Sequence, residues 1–421
     1  MADYYGVDYL KRKLGHYELR GRLRYKEYDQ KYEPSSPGIT IPAQLREQYK
    51  SVMGWCSKAV NSLADRLVFR EFAGDNFEIN EIFRVNNSDI FFDSSILSAL
   101  ITSCCFIYVS RNSNSDIPRL QIIDGTNATG ILDPITGLLW EGYAVLARDK
   151  LGNPYVEAYF LPDRTIIYEN GRVVNRQIHT VGYPLLVPVI HRPDASRPFG
   201  RSRISRSAMY YQQYAKRTIE RADVTAEFYS FPQKYVTGLS QDAERMDSWK
   251  ATVSAFLSFT RDKDGNSPQL GQFTTSSMSP FTEQLRTAAS LFAGETGLTL
   301  DDLGFVRENP SSSEAIKASH ETLRVMAKKA QRCFASGFLN VGYVSACLRD
   351  EFPYRREQFS EIKAKWEPIF EPDASTIALV GDGAIKLNKA VPGYFDNENV
   401  RDLTGIEAGD GIALESEDFY G

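Results

Sequence analysis

The chain has 421 residues, of which 42% are hydrophobic and 24% charged; it is long enough for two or three packed units and too apolar to be disordered throughout. Its formal charge of −5 excludes the bulk basicity by which tight nucleic-acid binders hold phosphates. The five cysteines include the adjacent Cys104 and Cys105 and form no C-x-x-C, which predicts reduced core thiols rather than a disulfide framework.

Residues 1–33 read as a polar, Tyr-rich arm carrying Lys11, Arg12, Lys13, Arg20, Arg22, Arg24 and Lys26, with no apolar run of signal-peptide type. Pro34-Ser35-Ser36-Pro37-Gly38 ends it as a turn or linker. Leu45, Tyr49, Val52, Cys56, Val60, Leu63 and Leu67 recur at steps of three or four, which predicts a helix over 43–69. A second helix is expected over 88–102. From 105 to 190 the chain reads as β-rich, with short β-branched and aromatic runs at 106–110, 120–123, 143–147, 155–161 and 165–168. Asn170-Gly171 is the strongest hairpin signal, since both central positions of a type I′ turn need positive φ.

Helix returns over 201–230, after Pro198-Phe199-Gly200. A short extended piece (234–237), a helix (241–258) and a polar Gly- and Ser-rich stretch (261–279) with room for one strand follow. Ser279-Pro280 predicts a helix start with Ser279 as N-cap, and that helix is expected to end at Gly294 or Gly297. Ser311-x-x-Glu314 has the spacing of a capping box and opens a long helix whose apolar spacing runs from Ile316 to Val341. A weaker helix is expected over 373–390. The acidic, Gly-rich tail (405–421) is expected to be disordered.

Little of this points to catalysis. There are four histidines, no H-E-x-x-H and no Cys/His cluster, so no zinc site is expected. No G-x-S-x-G and no P-loop occur. Gly381-x-Gly383-x-x-Lys386 lacks the third glycine of a dinucleotide loop and reads as a bend in a helix. No apolar run reaches the ~18 residues of a membrane span. Arg201, Arg203, Arg206, Lys216, Arg217 and Arg221 make 201–230 locally basic, offset by Glu220, Asp223 and Glu227. Two readings fit them: a solvated face with pairs such as Arg217 with Glu220, or a rim or interface position in an oligomer. Two helices bracket a small α/β insertion here, and a loop then feeds a long capped helix, the pattern of a lobe on a two-helix stalk.

Several segments resemble those of tailed-bacteriophage portal proteins, the subgroup of phages of Gram-positive hosts. Pro198-Phe199-Gly200-Arg201-Ser202-Arg203-Ile204-Ser205 is similar to the start of the portal stem. Phe231-Pro232-Gln233-Lys234-Tyr235-Val236-Thr237-Gly238 resembles the strand that leaves it for the clip. Residues 297–305, and then Asn309-Pro310-Ser311-Ser312-Ser313-Glu314-Ala315-Ile316, resemble the tunnel loop and the start of the long wing helix. Trp366-Glu367-Pro368 is similar to the end of such chains.

The resemblance implies an α+β portal protomer: an N-terminal basic arm (1–39), wing (40–198), first stem helix (199–229), clip (230–278), second stem helix (279–297), tunnel loop (298–310), long wing helix (311–350) and a short crown (351–404). It implies a non-enzymatic virion protein without cofactor, assembled in the host cytoplasm as a ring of about twelve copies at one capsid vertex. Double-stranded DNA would pass through the bore. The expected partners are the major capsid protein, a scaffold protein, the terminase large subunit and the head–tail adaptor, with no membrane. The resemblance puts Asp301, Asp302, Arg307, Glu308 and Asn309 of the tunnel loop at the channel, and their acidic balance fits a bore through which DNA must slide. Lys234, Lys250, Arg261 and Lys263 are the expected clip contacts to a partner or to DNA, and the six basic residues of 201–230 the expected stem interface. The alternatives are a head–tail adaptor or capsid-associated protein without a DNA channel, and an enzyme such as a nuclease, which would need clustered acidic metal ligands.

Overall fold

The computed structural model describes residues 5–31, 51–230, 234–237, 269–272, 277–305 and 318–406. In chain order these form α1 (Val7–Tyr28), α2 (Trp55–Ala64), β1 (Phe69–Ala73), α3 (Ile79–Val85) and α4 (Ser88–Thr102). Next come β2 (Cys104–Asn112), β3 (Ser115–Asp124), β4 (Ala128–Leu132), β5 (Leu139–Arg148), β6 (Pro154–Phe160), β7 (Arg164–Glu169), β8 (Arg172–Ile178) and β9 (Leu186–Ile190). The remainder is α5 (Arg206–Ser230), β10 (Lys234–Thr237), β11 (Gln269–Gln272), α6 (Ser279–Thr296), α7 (Glu321–Arg349), β12 (Lys363–Trp366), α8 (Ala374–Ala390) and α9 (Asn397–Thr404). Helix and antiparallel sheet are thus mixed in the α+β manner. By packing, the chain divides into one unit drawn from Met1–Asp29, Cys56–Ser205 and Ser311–Gly421, and a second from Gln30–Trp55 and Arg206–Pro310.

The first unit is built around β2. It pairs antiparallel with β3 and β9, and Cys104–Val109 are all buried because α4 and α7 both pack on this small sheet. A strand covered on both faces reads as a continuous apolar run, as Cys104-Cys105-Phe106-Ile107-Tyr108-Val109 does. α7 brings Leu323, Ala327, Ala330, Phe334, Phe338 and Val341 to its buried face. Gly337 lets it approach β9 so closely that a Cβ would lie 3.2 Å from Val189 Cα. Phe69, Phe72, Phe83, Phe91, Phe92, Phe338 and Trp366 join in one aromatic cluster, with ring centroids as close as 4.1 Å for Phe69 and Phe92. β1 pairs with β12 beside it. The second sheet is a five-stranded meander, β4-β5-β6-β7-β8. Its last hairpin turns at Asn170 and Gly171, with φ of 49° and 76°, the positive pair expected there.

The N-terminal region corrects the arm expectation. Val7–Tyr28 is a helix docked on the meander, with Leu10 and Leu14 packed on Tyr143 and Val145. Lys11 bonds Glu157, and Lys13 Nζ donates to the Gly130 carbonyl at 2.6 Å on the edge strand β4. The charges hid it: the apolar stripe is short, Leu10 and Leu14 with Val7 and Tyr9 beside them, and ion pairs and hydrogen bonds add to it. The helix expected over 43–69 also needs correction. Its described part spans only Trp55–Ala64, because residues 65–67 turn and Phe69 begins a strand opposite Trp366. The sequence reading missed α3, α9, β1, β4, β8, β9 and β12. Ser279 lies inside α6 rather than capping it, Met278 taking the cap position with no side-chain bond. Asp373 does cap α8, accepting from Thr376 N at 2.8 Å, and Gly381 and Gly383 lie within that helix. The 241–258 helix, the Ser311/Glu314 box and the 407–421 tail lie outside the described residues. The five cysteines are free thiols, four of them buried.

Within the second unit, α5 and α6 pack against each other. β10 and β11, antiparallel, follow one helix and precede the other. The facing positions are Ala208, Gln212, Ala215 and Lys216 on α5 and Ala288, Ala289, Phe292, Ala293 and Thr296 on α6, at steps of three and four. Trp55 closes the pair, its ring 5.4 Å from Phe292.

Candidate functional site

Two parts stand out: the segment that leads into α5, and the α5–α6 pair with the loop that follows it. The leading segment, 191–205, is an elbow within the first unit. A helix ends with four backbone carbonyls that have no partner inside it. At the end of α4 and just past it, the elbow and α1 supply the partners. Arg203 N and Ser202 Oγ donate to Leu100 O at 2.8 and 3.2 Å, and Ser202 Oγ to Ile101 O at 2.5 Å. Arg24 donates to Thr102 O at 2.8 Å, and His191 N to Ser103 O at 2.9 Å. Arg24 also sets a positive charge at the negative end of the helix.

The elbow closes on itself as well. Arg201 N donates to His191 O at 2.9 Å, and His191 Nδ1 donates to Arg201 O at 2.7 Å. Burial pushes the His191 imidazole down to about 3, so it is neutral and carries its proton on Nδ1, the nitrogen facing a carbonyl. Gly200 sits at φ 75° with its α-carbon against this pair; a Cβ there would lie 2.1 Å from His191 O. Asp194 accepts from Ser196 N, Ser196 Oγ and Arg197 N, and takes Arg201 Nε and a terminal guanidinium nitrogen at 2.9 and 2.6 Å. The bonds from Ser196, and next from Arg201, hold its carboxyl well below the usual carboxylate range. Arg203 is buried and donates to Ala59 O and to the Met326 sulfur.

The six basic residues of 201–230 therefore separate. Arg201 and Arg203 belong to the elbow. Lys216 is buried on α5 and pairs with Glu220 at 3.6 Å, so Glu220 is taken by Lys216 and not by the expected Arg217. Arg206, Arg217 and Arg221 are exposed. With Tyr210, 60% exposed, they recur at steps that place them along one outer face of α5.

The loop after α6 is a pair of left-handed closures. Gly297 ends the helix at φ 66°, its N–H on Ala293 O. Gly304 follows at φ 89°, its N–H on Asp301 O at 3.0 Å. Between them Asp302 Oδ2 accepts from Thr299 N and Thr299 Oγ1 at 2.8 and 2.9 Å, while Asp302 N donates to Thr299 Oγ1 at 3.1 Å. Asp302 thus shapes the loop, and Asp301 is exposed. Of the residues expected to form clip contacts, Lys234 lies on β10 opposite Gln272. Lys250, Arg261, Lys263, Arg307, Glu308 and Asn309 lie outside the described residues.

Among the described residues no group of three or more His, Cys, Asp or Glu could hold a metal ion, and no helix is long and apolar enough to cross a membrane. The open groove between α4 and β3, about 530 Å³, is lined by Asn86, Asn87, Ile90, Phe91 and Arg119 among others. Asn86 is spent on structure there, bonding Ile82 O, Pro118 O and Leu120 N. The elbow closes the end of α4, and α5 and α6 pack on each other.

No family profile matches the chain. The portal protein of Mycobacterium phage L5 is 24% identical over 400 residues, 89% of this chain and 80% of its own length. The portal protein of Mycobacterium phage D29 is 24% identical over 409 residues, 91% of this chain and 81% of its own. Among solved structures, one from the neck of a native gene transfer agent particle computed with C12 symmetry aligns at TM-score 0.46 and 13% identity, covering 92% of this chain and 99% of that one. One from the virion of such a particle aligns at TM-score 0.45 and 13% identity, covering 84% and 89%. The resemblance to tailed-phage portal proteins holds along about nine tenths of the chain.

Proposed function

We propose that this chain is the protomer of a phage portal: a ring of about twelve copies at one capsid vertex, through which double-stranded DNA is packaged and later leaves. The observation that carries the reading is the collinear similarity to two portal proteins over 400 residues or more. The helix pair with a strand pair at one end supports it, as a stem (199–229 and 279–297) bearing a clip (230–278). The remaining assignments follow in order: wing from 40–198 and 311–350, tunnel loop 298–310, and a short crown from 351–404.

In this reading the protein acts by shape and charge. DNA that is threaded must not be gripped, because every phosphate neutralised by a fixed cation adds counterion-release affinity. Asp301 in the loop, with Glu308 seven residues later, keeps the bore from doing so. Lys234, Lys250, Arg261 and Lys263 would meet the terminase large subunit, the adaptor or DNA at the clip. The exposed Arg206, Arg217 and Arg221 face of α5 is the natural rim contact between neighbouring stems. The capsid protein and scaffold would meet the wing.

The channel role is tested by deleting residues 307–310 in assembling particles. Loss of packaged or retained DNA with rings still formed is the expected result. Normal packaging and retention would remove the loop from the mechanism.

A further inference from the structure

Among the described residues, the C-terminal helix pair leaves an apolar surface without a partner. α8 is 17 residues long and not one of them is buried. A helix apolar over most of its circumference belongs in a core. An isolated helix of this length carrying Gly381 and Gly383 is marginal in water. Yet Leu379 is 72% and Ile385 58% exposed. α9 covers one side only, clasped through Asn388, which bonds Phe395 N and Phe395 O at 2.7 and 2.8 Å. α9 in turn is tied to β1 and β12 by Asp402, which takes Arg70 and Lys365 at 2.7 and 2.5 Å.

The uncovered surface has two flanks. At about 100° per residue, Leu379 lies roughly 120° around the helix from Ile385 and its neighbour Ala378. Between the flanks runs a polar strip of Asp382, Lys386 and Lys389, none of them paired with an opposite charge among the described residues. Such a strip complements itself. A second copy of the helix can set its Asp382 against Lys386 or Lys389 of the first, whereas a purely acidic or purely basic partner would leave one sign opposed. Gly381 and Gly383 have nothing within 4 Å of where a Cβ would stand, so a neighbouring backbone can approach closely there.

We infer that α8 is a contact between copies of this chain, the Leu379 flank of one protomer packing on the Ile385 flank of the next. Different flanks meeting is a head-to-tail contact, the kind that closes into rings rather than two-fold dimers. The inference rests on the ring reading above and adds to it which helix seals neighbours and in what sense.

The test is a Leu379→Cys/Ile385→Cys double variant of the full chain, oxidised and run on a denaturing gel, with electron microscopy of the same sample. The two positions are about 9 Å apart along one helix, beyond the ~7 Å reach of a disulfide, so a bond between them joins two chains. The expected result is a ladder well past the dimer, with neither single variant giving one. Monomers only, in a sample that shows rings, overturn the α8 contact and leave the ring reading standing. Monomers only, without rings, overturn both. Dimers only, from the single variants as readily as from the double, show a two-fold contact and overturn the head-to-tail arrangement.

Discussion

Gly200→Ala should damage the first unit out of proportion to the one methyl added. At φ 75° an L-residue costs about 1 kcal/mol or more over glycine. The new Cβ would stand 2.1 Å from His191 O and 2.8 Å from Ile190 Cγ2, so the loop must open. That breaks the reciprocal pair, Arg201 N to His191 O at 2.9 Å and His191 Nδ1 to Arg201 O at 2.7 Å. At about 1 kcal/mol for each net hydrogen bond the total comes to about 3 kcal/mol. With a urea slope of about 3 kcal/mol per molar, the midpoint followed by far-UV circular dichroism should fall by about 1 M. Gly294→Ala is the matched control: its position in α6 has nothing within 4 Å of a new Cβ and no positive φ, and alanine there should hold or raise stability by about 0.5–1 kcal/mol. Equal midpoints for Gly200→Ala and wild type would refute the account of the elbow.

Tyr25→Phe removes a bond of 2.5 Å to Asp124. Asp124 keeps Ser98 and Thr126 as donors, so the loss should be about 1–2 kcal/mol, seen as faster proteolysis within α1. His191 has its pKa lowered by burial to about 3, so the unfolded chain binds its proton first. Its contribution falls as pH drops from about 6.5 towards 3, at about 1.4 kcal/mol per pH unit. The stability gap between wild type and His191→Gln should therefore shrink on acidification, and a gap constant from pH 7 to pH 4 would argue against a buried neutral imidazole. Arg217→Glu/Arg221→Glu changes only exposed side chains of α5. It should leave the melting temperature within about 1–2 °C, since surface changes of this kind stay within about 0.5 kcal/mol, while lowering the fraction of protein in rings by ultracentrifugation.

What the sequence shows and what it hides follow from how each element is held. α4 could be read to its ends because it is apolar and bounded by Asn87 and Ser103, both at positive φ. The Asn170-Gly171 hairpin was legible because its chemistry is local. α1 was hidden, since two leucines, Lys11, Lys13, Arg24 and Tyr25 dock it through partners more than seventy residues away. Of the candidate site, the Pro198-Phe199-Gly200-Arg201 run was visible, but not its reason. Ser202 and Arg203 act on the carbonyls of α4 a hundred residues earlier, His191 on that of Ser103 just past it, and Gly200 only makes room for the His191–Arg201 pair; no spacing rule records that. The basic run of 201–230 read as one feature because sequence does not report burial. In the fold Lys216 and Arg203 turn inward and Arg206, Arg217 and Arg221 outward.

The portal reading stands or falls on the purified protein under the electron microscope, with its mass determined alongside. The account predicts rings of about twelve copies of the 47.5 kDa chain, with an open bore of roughly 20 Å or more, wide enough for a duplex to pass without its phosphates being held. Closed particles with no bore, or a monomer that stays single at high concentration and inside assembling heads alike, would contradict it.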